Sequence, residues 1–330
     1  MSCISIKELP YINFDNEWWM DGFNDNVTIN GKMYIAMGDI CTTVLRYAMC
    51  TYASHTLLEN YGYKKDDLYN AVRDGKWTFD MMTEMAKNVS GDIDGDGDMD
   101  ENDLYGIGMH NNPIRSLTNA FAIDYTTRDS DGLPELALYG ERMINAYEKV
   151  LNAYNSDYWL GTQDWAKFMS NKMLFITDVL GGTSTLREME TGYAVLPLPK
   201  YDENQENYRT EAADTTSILM VPTTAVNHDL VGAMLEALNY ESYKLVTPAY
   251  FETAMQGKYA RDEESQEMME IIRDSLYFDF GYVFAGCIGG GINSMMAHVE
   301  NGEAIATVWD TNKTTIETNL DKLLKFFAES

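Results

Sequence analysis

Apolar residues recur at two spacings along this chain, one typical of helices and the other typical of strands. Helical spacing marks stretches at roughly 42–61, 140–155, 228–239 and 263–276, another that opens at residue 78, and a last one from residue 314 onward. Short apolar runs at roughly 32–37, 172–177, 193–198 and 218–221 have the character of strands. Because helices and strands alternate throughout, the pattern predicts an α/β fold with mainly parallel sheet.

Two local signals sharpen this picture. Asn30-Gly31 is a tight-turn dipeptide directly before one of the predicted strands. Thr78 is placed to cap the helix that follows it, with Met81, Met82 and Met85 on the apolar face of that helix. Methionines at this spacing indicate core packing rather than a cofactor site.

The charge balance excludes two classes of partner. The chain has 330 residues and a formal net charge of −28, from 52 acidic and 24 basic residues. Binding to nucleic acid or to an anionic membrane surface requires clustered Lys and Arg, so neither is expected. The length is that of about two domains, and no apolar stretch is long enough to cross a membrane.

Cysteine and histidine usage gives no sign of a zinc site. Cys3, Cys41, Cys50 and Cys287 form no C-x-x-C pair, and only four histidines occur. Free buried thiols are the common state for such residues, and a Cys41–Cys50 disulfide is the alternative. The first residues lack the basic and apolar regions of a signal peptide.

The most specific motif is a twelve-residue acidic loop, Asp92–Asp103, of the pattern D-x-D-x-D-G-x5-D. Calcium takes six to eight oxygen ligands, and this spacing winds a loop around the ion. The predicted ligands stand at loop positions 1, 3, 5, 7, 9 and 12, with position 7 acting through its backbone carbonyl: Asp92, Asp94, Asp96, Asp98, Asp100 and Asp103. Gly97 permits the sharp turn at position 6. The sequence therefore predicts a structural Ca²⁺ site, with a solvated loop that binds nothing as the alternative.

The last ligand of this loop bears on its affinity. Position 12 is Asp103 rather than the longer Glu of calcium sensors, which resembles dockerin loops, although dockerins have two loops and only one is present here. A shorter final ligand favours weak binding, suited to extracellular calcium.

Several segments, in order along the chain, resemble the family 1 extracellular solute-binding proteins, the maltose-binding-protein-like components of ABC importers. The segments that carry the resemblance are 29–39 (INGKMYIAMGD), 57–63 (LLENYGY), 75–80 (GKWTFD), the acidic loop, 172–178 (KMLFITD), 192–201 (GYAVLPLPKY), 246–252 (VTPAYFE) and 277–281 (YFDFG). The resemblance implies a two-lobed, periplasmic-binding-protein-like (type II) α/β fold that binds a small solute between its lobes.

The resemblance also implies how the chain divides. Residues 1–38 with 222–278 are expected to form the N-lobe, and residues 39–221 with 279–330 are expected to form the C-lobe, which contains the calcium loop. The hinge crossings are expected near Gly38, Thr216 and Phe280. Family members begin with a signal peptide and a βαβ stretch that this sequence does not show, so the N-lobe is expected to be incomplete.

The ligand-binding residues follow from the same resemblance. The expected contacts lie beside the crossover strands or at a strand end: Trp18, Trp19, Asp39, Asp178, Thr215, Ser217, Tyr282 and Phe284. Aromatic rings stack on the apolar faces of sugars, and carboxylates and hydroxyls bind sugar hydroxyls. Adjacent residues of a strand point to opposite faces, so at most one of Trp18 and Trp19 is expected to face the ligand.

The expected function is that of a monomeric, extracellular, lipid-anchored carrier that binds a small solute, expected to be a sugar, and delivers it to the membrane permease of an ABC importer. The chain is not expected to be an enzyme: it has no G-x-S-x-G or H-E-x-x-H motif, and the glycines at 289–291 lack the Gly-Lys-Ser/Thr of a phosphate loop. A secreted carbohydrate-active enzyme and a calcium-binding surface protein are the alternatives.

Overall fold

The computed structural model describes residues 3–250 and 263–329. Its central feature is a five-stranded sheet in the order β5-β2-β6-β1-β7. These strands are β1 (Met49–Ser54), β2 (Tyr105–Gly108), β5 (Trp159–Leu160), β6 (Met173–Val179) and β7 (Tyr193–Leu196). A separate two-stranded sheet pairs β3 (Thr126–Arg128) with β4 (Pro134–Leu136).

The central sheet is mixed rather than mainly parallel. Strand β2 pairs parallel with both β5 and β6, as expected where a helix connects strands of one sheet. Strand β1 lies antiparallel between β6 and β7, with Thr51 opposite Thr177 on one side and Leu196 on the other. The α/β class is confirmed, and half of the pairings between these strands are antiparallel because β1 enters the sheet from the opposite end.

Helices cover this sheet and extend beyond it. They are α1 (Asp21–Val27), α2 (Thr43–Arg46), α3 (His55–Asn60), α4 (Lys65–Arg73), α5 (Phe79–Val89), α6 (Asn111–Ala120), α7 (Glu141–Tyr154), α8 (Trp165–Met169), α9 (His228–Glu241), α10 (Glu263–Asp274), α11 (Phe280–Val283), α12 (Ala285–Ile288) and α13 (Ile305–Glu329). Shorter helical stretches of other types lie at Ile6–Glu8, Leu180–Glu188, Ser242–Val246 and Ile292–Asn301. Within the described ranges, no helix is both long enough and apolar enough to span a membrane.

The long helix predicted at roughly 42–61 is wrong. Two short helices, α2 and α3, flank strand β1, whose six residues are all buried. A strand buried on both faces has no polar alternation, so its apolar residues continue the helical spacing of their neighbours. Ser54 ends the strand and caps α3 by accepting a hydrogen bond from the backbone N–H of Leu57 (3.3 Å).

Two further predicted strands, at 32–37 and 218–221, are present only as isolated bridges. Ala36 pairs with Leu219, and Cys3 pairs with Pro222. The turn before the first of them is confirmed, because Asn30 and Gly31 both have positive φ, of 52° and 75°, and Ile29 pairs with Lys32 across it.

Other local expectations are met. The side chain of Thr78 accepts a hydrogen bond from the backbone N–H of Met81 (3.3 Å), so Thr78 caps α5 as predicted. Helices α7, α9 and α10 and strands β6 and β7 lie close to their predicted ranges, whereas α13 begins nine residues before Thr314. The four cysteines are free thiols, which answers the disulfide alternative for Cys41 and Cys50.

Helix α9 joins the first segment of the chain to the rest of the fold. Gly232 faces residues 9–10 so closely that a Cβ would lie 2.0 Å from the Pro10 carbonyl oxygen. The opposite face of α9 is apolar but exposed, with Leu230, Met234 and Leu238 each 43–55% exposed. Helix α10 packs against β7 and reaches α4 through a contact between the Tyr69 and Ser265 hydroxyls (3.0 Å).

Candidate ligand-binding region and calcium loop

One edge of the central sheet gathers the ends of several strands. The carboxyl ends of β2, β5 and β6 meet there, because these strands run parallel. The amino end of β1 lies at the same edge, because β1 runs antiparallel to β6. In open α/β sheets this edge is the usual place for ligands, and the polar side chains that follow these strands are therefore the candidates for binding.

Asp178 stands at this edge, as the sequence predicts. It is half-buried near the end of β6, opposite Cys50 of β1. The side chains of Trp165 and Gln163, which follow β5, donate hydrogen bonds to its carboxyl group. Burial nevertheless raises the pKa of Asp178, against the effect of these hydrogen bonds and of the nearby His110. The geometry provides an acceptor whose orientation is fixed by its neighbours.

Trp165 forms the aromatic wall beside this carboxyl group. It is the first residue of α8, which Asp164 caps by accepting a hydrogen bond from the backbone N–H of Lys167 (2.8 Å). Its ring is half-buried and meets Tyr52 edge-on at 5.6 Å between centroids. Gly182 lies against the other side, where a Cβ would come within 2.8 Å of the Trp165 ring. The ring is thus held in place while part of it stays open to solvent.

His110 and Arg46 complete the same edge. His110 follows β2 and precedes α6, and its Nδ1 atom is buried without a hydrogen-bond partner. Arg46, at the end of α2 just before β1, is exposed and lies against Gly181. Trp165, His110 and Arg46 are not among the contacts expected from the sequence. Strands β1 and β2, which place Arg46 and His110 at this edge, are not among the predicted strands either.

Asp39 lines a cavity beside α2. The cavity has a volume of about 220 Å³, and Met20, Thr42, Thr247 and Phe278 are among its lining residues. Burial raises the pKa of Asp39 to about 6, and a hydrogen bond with the Thr247 side chain opposes this rise. The cavity is therefore lined by one carboxyl group, the Arg273 guanidinium, the Cys41 thiol, two hydroxyl groups and an apolar wall.

Thr215 and Ser217, which belong to a segment expected to cross between lobes, are both exposed and lie close to α2. The backbone N–H of Ser217 donates to the Thr43 hydroxyl (2.8 Å), and that hydroxyl lies 3.4 Å from the Thr216 hydroxyl. This contact joins the 215–217 segment to α2, the helix whose Val44 and Leu45 line the Asp39 cavity. Tyr282 lies nearby and donates to the carbonyl of Ala212 (3.0 Å).

The remaining predicted contacts are more buried. Phe284 is 4% exposed and packs against Phe280 and Phe327, at 4.6 and 5.9 Å between ring centroids.

Trp18 and Trp19 both turn toward helix α9, and each indole N–H donates to the carboxylate of Glu236. Trp19 is 3% exposed and Trp18 is half-buried, so Trp18 is the one of the pair with a surface open to solvent.

In the acidic loop, the first three predicted ligands lie close together. The carboxylate oxygens of Asp92, Asp94 and Asp96 lie within 4.8 Å of one another, and all three residues are exposed. The carboxylate of Asp92 accepts hydrogen bonds from the backbone N–H groups of Gly95 and Gly97. Both glycines have positive φ, of 78° and 94°, which glycine adopts at low cost.

The closing residue of the loop is buried. Asp103 is 0% exposed, and its two carboxylate oxygens accept hydrogen bonds from the backbone N–H groups of Ile93 and Asp100, both 2.8 Å. These hydrogen bonds, with Lys167 and Lys172 nearby, hold the pKa of Asp103 below its usual range. Lys167 also donates to the carbonyl of Glu101 (2.8 Å), which ties the loop to α8.

The donor set fits a hard divalent cation. Three carboxylates converge at loop positions 1, 3 and 5, and Asp103 is held ionised at position 12. Oxygen ligands of this kind suit Ca²⁺. The residues Asp92, Asp94, Asp96 and Asp103 would hold the ion, and its charge would offset their mutual repulsion.

Comparison with known proteins supports the fold. No protein-family profile and no curated protein sequence matches this chain. Among solved structures, a cyclic maltosyl-maltose-binding protein from Arthrobacter globiformis matches with a TM-score of 0.63 and 10% identity, covering 97% of this chain and 80% of that one. The sugar-binding protein MalE from Xanthomonas citri matches with a TM-score of 0.61 and 15% identity, over 95% and 77% of the two chains.

A third structure is an ABC substrate-binding protein from Listeria monocytogenes in complex with cycloalternan. It matches with a TM-score of 0.58 and 13% identity, over 93% of this chain and 77% of that chain. At sequence identities this low, the structural similarity establishes the fold but not the ligand. The chain has the two-lobed fold of the ABC-type solute-binding proteins, and the resemblance seen in its sequence is confirmed at that level.

Proposed function

We propose that this protein is a family 1 solute-binding protein that binds a carbohydrate between its two lobes. The observation that carries the proposal is the convergence of Trp165, Asp178 and His110 at the carboxyl edge of the sheet. A partly exposed aromatic ring beside an oriented carboxyl group is the usual means of holding a sugar, because the ring packs on C–H groups and the carboxyl group accepts from hydroxyls. The structures it resembles include binders of cycloalternan and of acarbose.

The proposed ligand contacts combine expected and new residues. Asp178, Asp39, Thr215, Ser217, Tyr282 and Trp18 remain proposed contacts, and Trp165, His110, Gln163 and Arg46 join them. Phe284 and Trp19 are almost fully buried, so neither offers a ring face to a ligand.

The proposed mechanism is closure about the crossings near Gly38, Thr216 and Phe280, between lobes divided as the sequence resemblance implies. A ligand that touches both lobes stabilises the closed form by its differential affinity for that form. The closed monomer then docks on the permease subunits of an ABC importer. A lipid-anchored, extracellular location fits this role.

Titration of a panel of linear and cyclic glucose oligosaccharides tests the proposal. Isothermal calorimetry and tryptophan fluorescence should both report saturable binding by one of them, with no change in the sugar afterwards. Absence of binding across monosaccharides, disaccharides and cyclic glucans would contradict the carbohydrate assignment, and release of shorter sugars would favour the enzyme alternative.

Replacing Asp178 by Asn should weaken binding of the sugar found in this way by roughly tenfold. The amide keeps the shape of the carboxyl group but loses the charge, and a hydrogen bond to a charged group is worth about 1.5–3 kcal/mol. The dissociation constant measured by calorimetry reports the change. Asp131→Asn, at an exposed turn, serves as the matched control and should bind as the parent does; equal affinity of both variants would place the ligand elsewhere.

We also propose that the acidic loop binds one structural Ca²⁺. The ion would join the exposed carboxylates of Asp92, Asp94 and Asp96 to the buried Asp103. The backbone carbonyl of Asp98 and the side chain of Asp100 remain the proposed ligands at loop positions 7 and 9. A loop of this charge repels itself without a cation, so binding stabilises the folded chain by mass action.

Calcium at a hundred times its dissociation constant should raise the free energy of unfolding by about 2.7 kcal/mol. Thermal melts with millimolar calcium and with a chelator measure this effect. Asp96→Ala should abolish the response, whereas Glu101→Gln in the same loop should retain it, because the Glu101 side chain is not a predicted ligand. If calcium left the melting temperature of the parent unchanged, the site would be excluded.

A further inference from the structure

A buried acid, Glu211, lies where the 210–217 segment meets the start of β1 and residues 275–277. Glu211 is 3% exposed, and its backbone carbonyl accepts from the N–H of Met49 (2.9 Å) just inside β1. The preceding residue, Thr210, exchanges backbone hydrogen bonds with Ser275 and Tyr277. After Glu211 the chain continues to the exposed Asp214 and then to residues 215–217 of the proposed hinge. Glu211 therefore anchors the start of the 210–217 segment to β1.

The side chain of Glu211 is incompletely satisfied. Its Oε2 atom is buried and has no hydrogen-bond partner. The crevice beside it, lined by Asn112, Arg115, Asp214 and Tyr282 among others, is too narrow to admit a water molecule. An ionised carboxylate in such a place would lack solvation, and leaving it so is costly.

Arg115 is the cation that faces this crevice, and it is already engaged by three acceptors. Its guanidinium donates to the Asp214 carboxylate (3.2 Å), to the Asn112 side chain (2.9 Å) and to the Asn293 carbonyl (3.0 Å). The Arg115–Asp214 pair ties helix α6 to the start of the hinge segment. Arg115 thus lies between two carboxyl groups, one exposed and one buried.

We propose that Glu211 and Arg115 form a proton-controlled latch, in which deprotonation of Glu211 draws Arg115 away from Asp214 and frees the 214–217 segment. When Glu211 is neutral, Asp214 is the only carboxylate that competes for the guanidinium among the described neighbours. When Glu211 is ionised, its attraction for Arg115 is stronger than that of Asp214, because the buried pair is less screened by solvent.

The charges around Glu211 set the range in which the latch acts. Arg115 and the Tyr282 hydroxyl favour the ionised form, whereas Asp214 and Asp279 oppose it. Tyr125 also faces the group, and its hydroxyl is buried. Burial outweighs all of these and raises the pKa of Glu211 to about 8, so the transition falls in the mildly alkaline range.

Hydrogen–deuterium exchange of the full chain between pH 6.5 and 9 tests this latch without any ligand. After correction for the intrinsic pH dependence of exchange, the amides of residues 214–219 should lose protection as pH rises, about tenfold or more. Glu211→Gln should keep its protection across the range, and Asp214→Asn should be unprotected throughout. Glu206→Gln, an exposed acid of the same connection, should behave like the parent.

Identical exchange profiles for the parent and Glu211→Gln would overturn the latch. Infrared spectroscopy of the unmodified chain gives a second measurement that needs no variant: the band of a protonated carboxyl group should disappear between pH 7 and 9. A spectrum with no such change would show that no acid of this chain titrates there. Neither result depends on whether the protein binds sugars.

Discussion

The free energy of unfolding should fall as pH rises from about 5 to 9, and Glu211→Gln should remove a large part of this fall. The folded pKa of Glu211 is about 8, against an ordinary value of 4.5. Between these values the folded chain keeps a proton that the unfolded chain loses, so stability decreases with increasing pH. Each pKa unit corresponds to about 1.4 kcal/mol, so the loss is on the order of several kcal/mol.

Urea unfolding at pH 5 and pH 9 measures this effect. At pH 5 the parent and Glu211→Gln should agree to within about 1 kcal/mol, because both side chains are neutral in the folded state. At pH 9 the variant should be the more stable by several kcal/mol. Burial raises the pKa of Asp39 and Asp178 as well, which adds a smaller fall at lower pH that Glu211→Gln leaves in place. Equal slopes for parent and variant would refute the assignment of a neutral Glu211.

Replacing Trp165 by Ala should weaken sugar binding by roughly thirtyfold to a hundredfold. The ring offers the aromatic surface of the proposed site, and truncating such an anchor costs about 2 kcal/mol or more. The variant also removes a donor to Asp178, which leaves that carboxyl group less well oriented. The dissociation constant from calorimetry is the measurement.

Trp165→Phe separates stacking from hydrogen bonding. The Phe ring keeps an aromatic face but has no N–H, so it should recover part of the affinity. Tyr61→Ala removes an exposed ring (42% exposed) at the end of α3 and should leave binding unchanged. If Trp165→Ala bound sugar as the parent does while remaining folded, the sheet edge would not be the site.

Much of the secondary structure follows from local sequence. Three correctly predicted features depend only on side chains within a few residues of one another: the cap at Thr78, the turn at Asn30-Gly31 and the helix at Glu141–Tyr154. Strand β1 depends on its neighbours β6 and β7 instead. Its six residues are buried on both faces, so the sequence carries no alternation to distinguish it from a helix.

The candidate site shows the same division. Asp178 could be predicted because it stands at the end of a strongly apolar run, and strand ends are where ligands bind. His110 and Arg46 could not be predicted, since they reach the same edge only through the strand order and through the antiparallel direction of β1. In the sequence, nothing distinguishes Glu211 from the rest of the 52 acidic residues. It is buried only because three segments of the chain pack around it.

By itself, then, the sequence determined the acidic loop, the helix caps and turns, and the alternation of strands and helices. These features arise from hydrogen bonds and spacings within a dozen residues, which the order of side chains fixes directly. The tertiary structure decided the mixed sheet, the meeting of Trp165, Asp178 and His110, and the burial of Glu211 beside Arg115. These depend on contacts between residues far apart in the chain, whose strength comes from burial and from the exclusion of water, and neither exists until the segments have packed together.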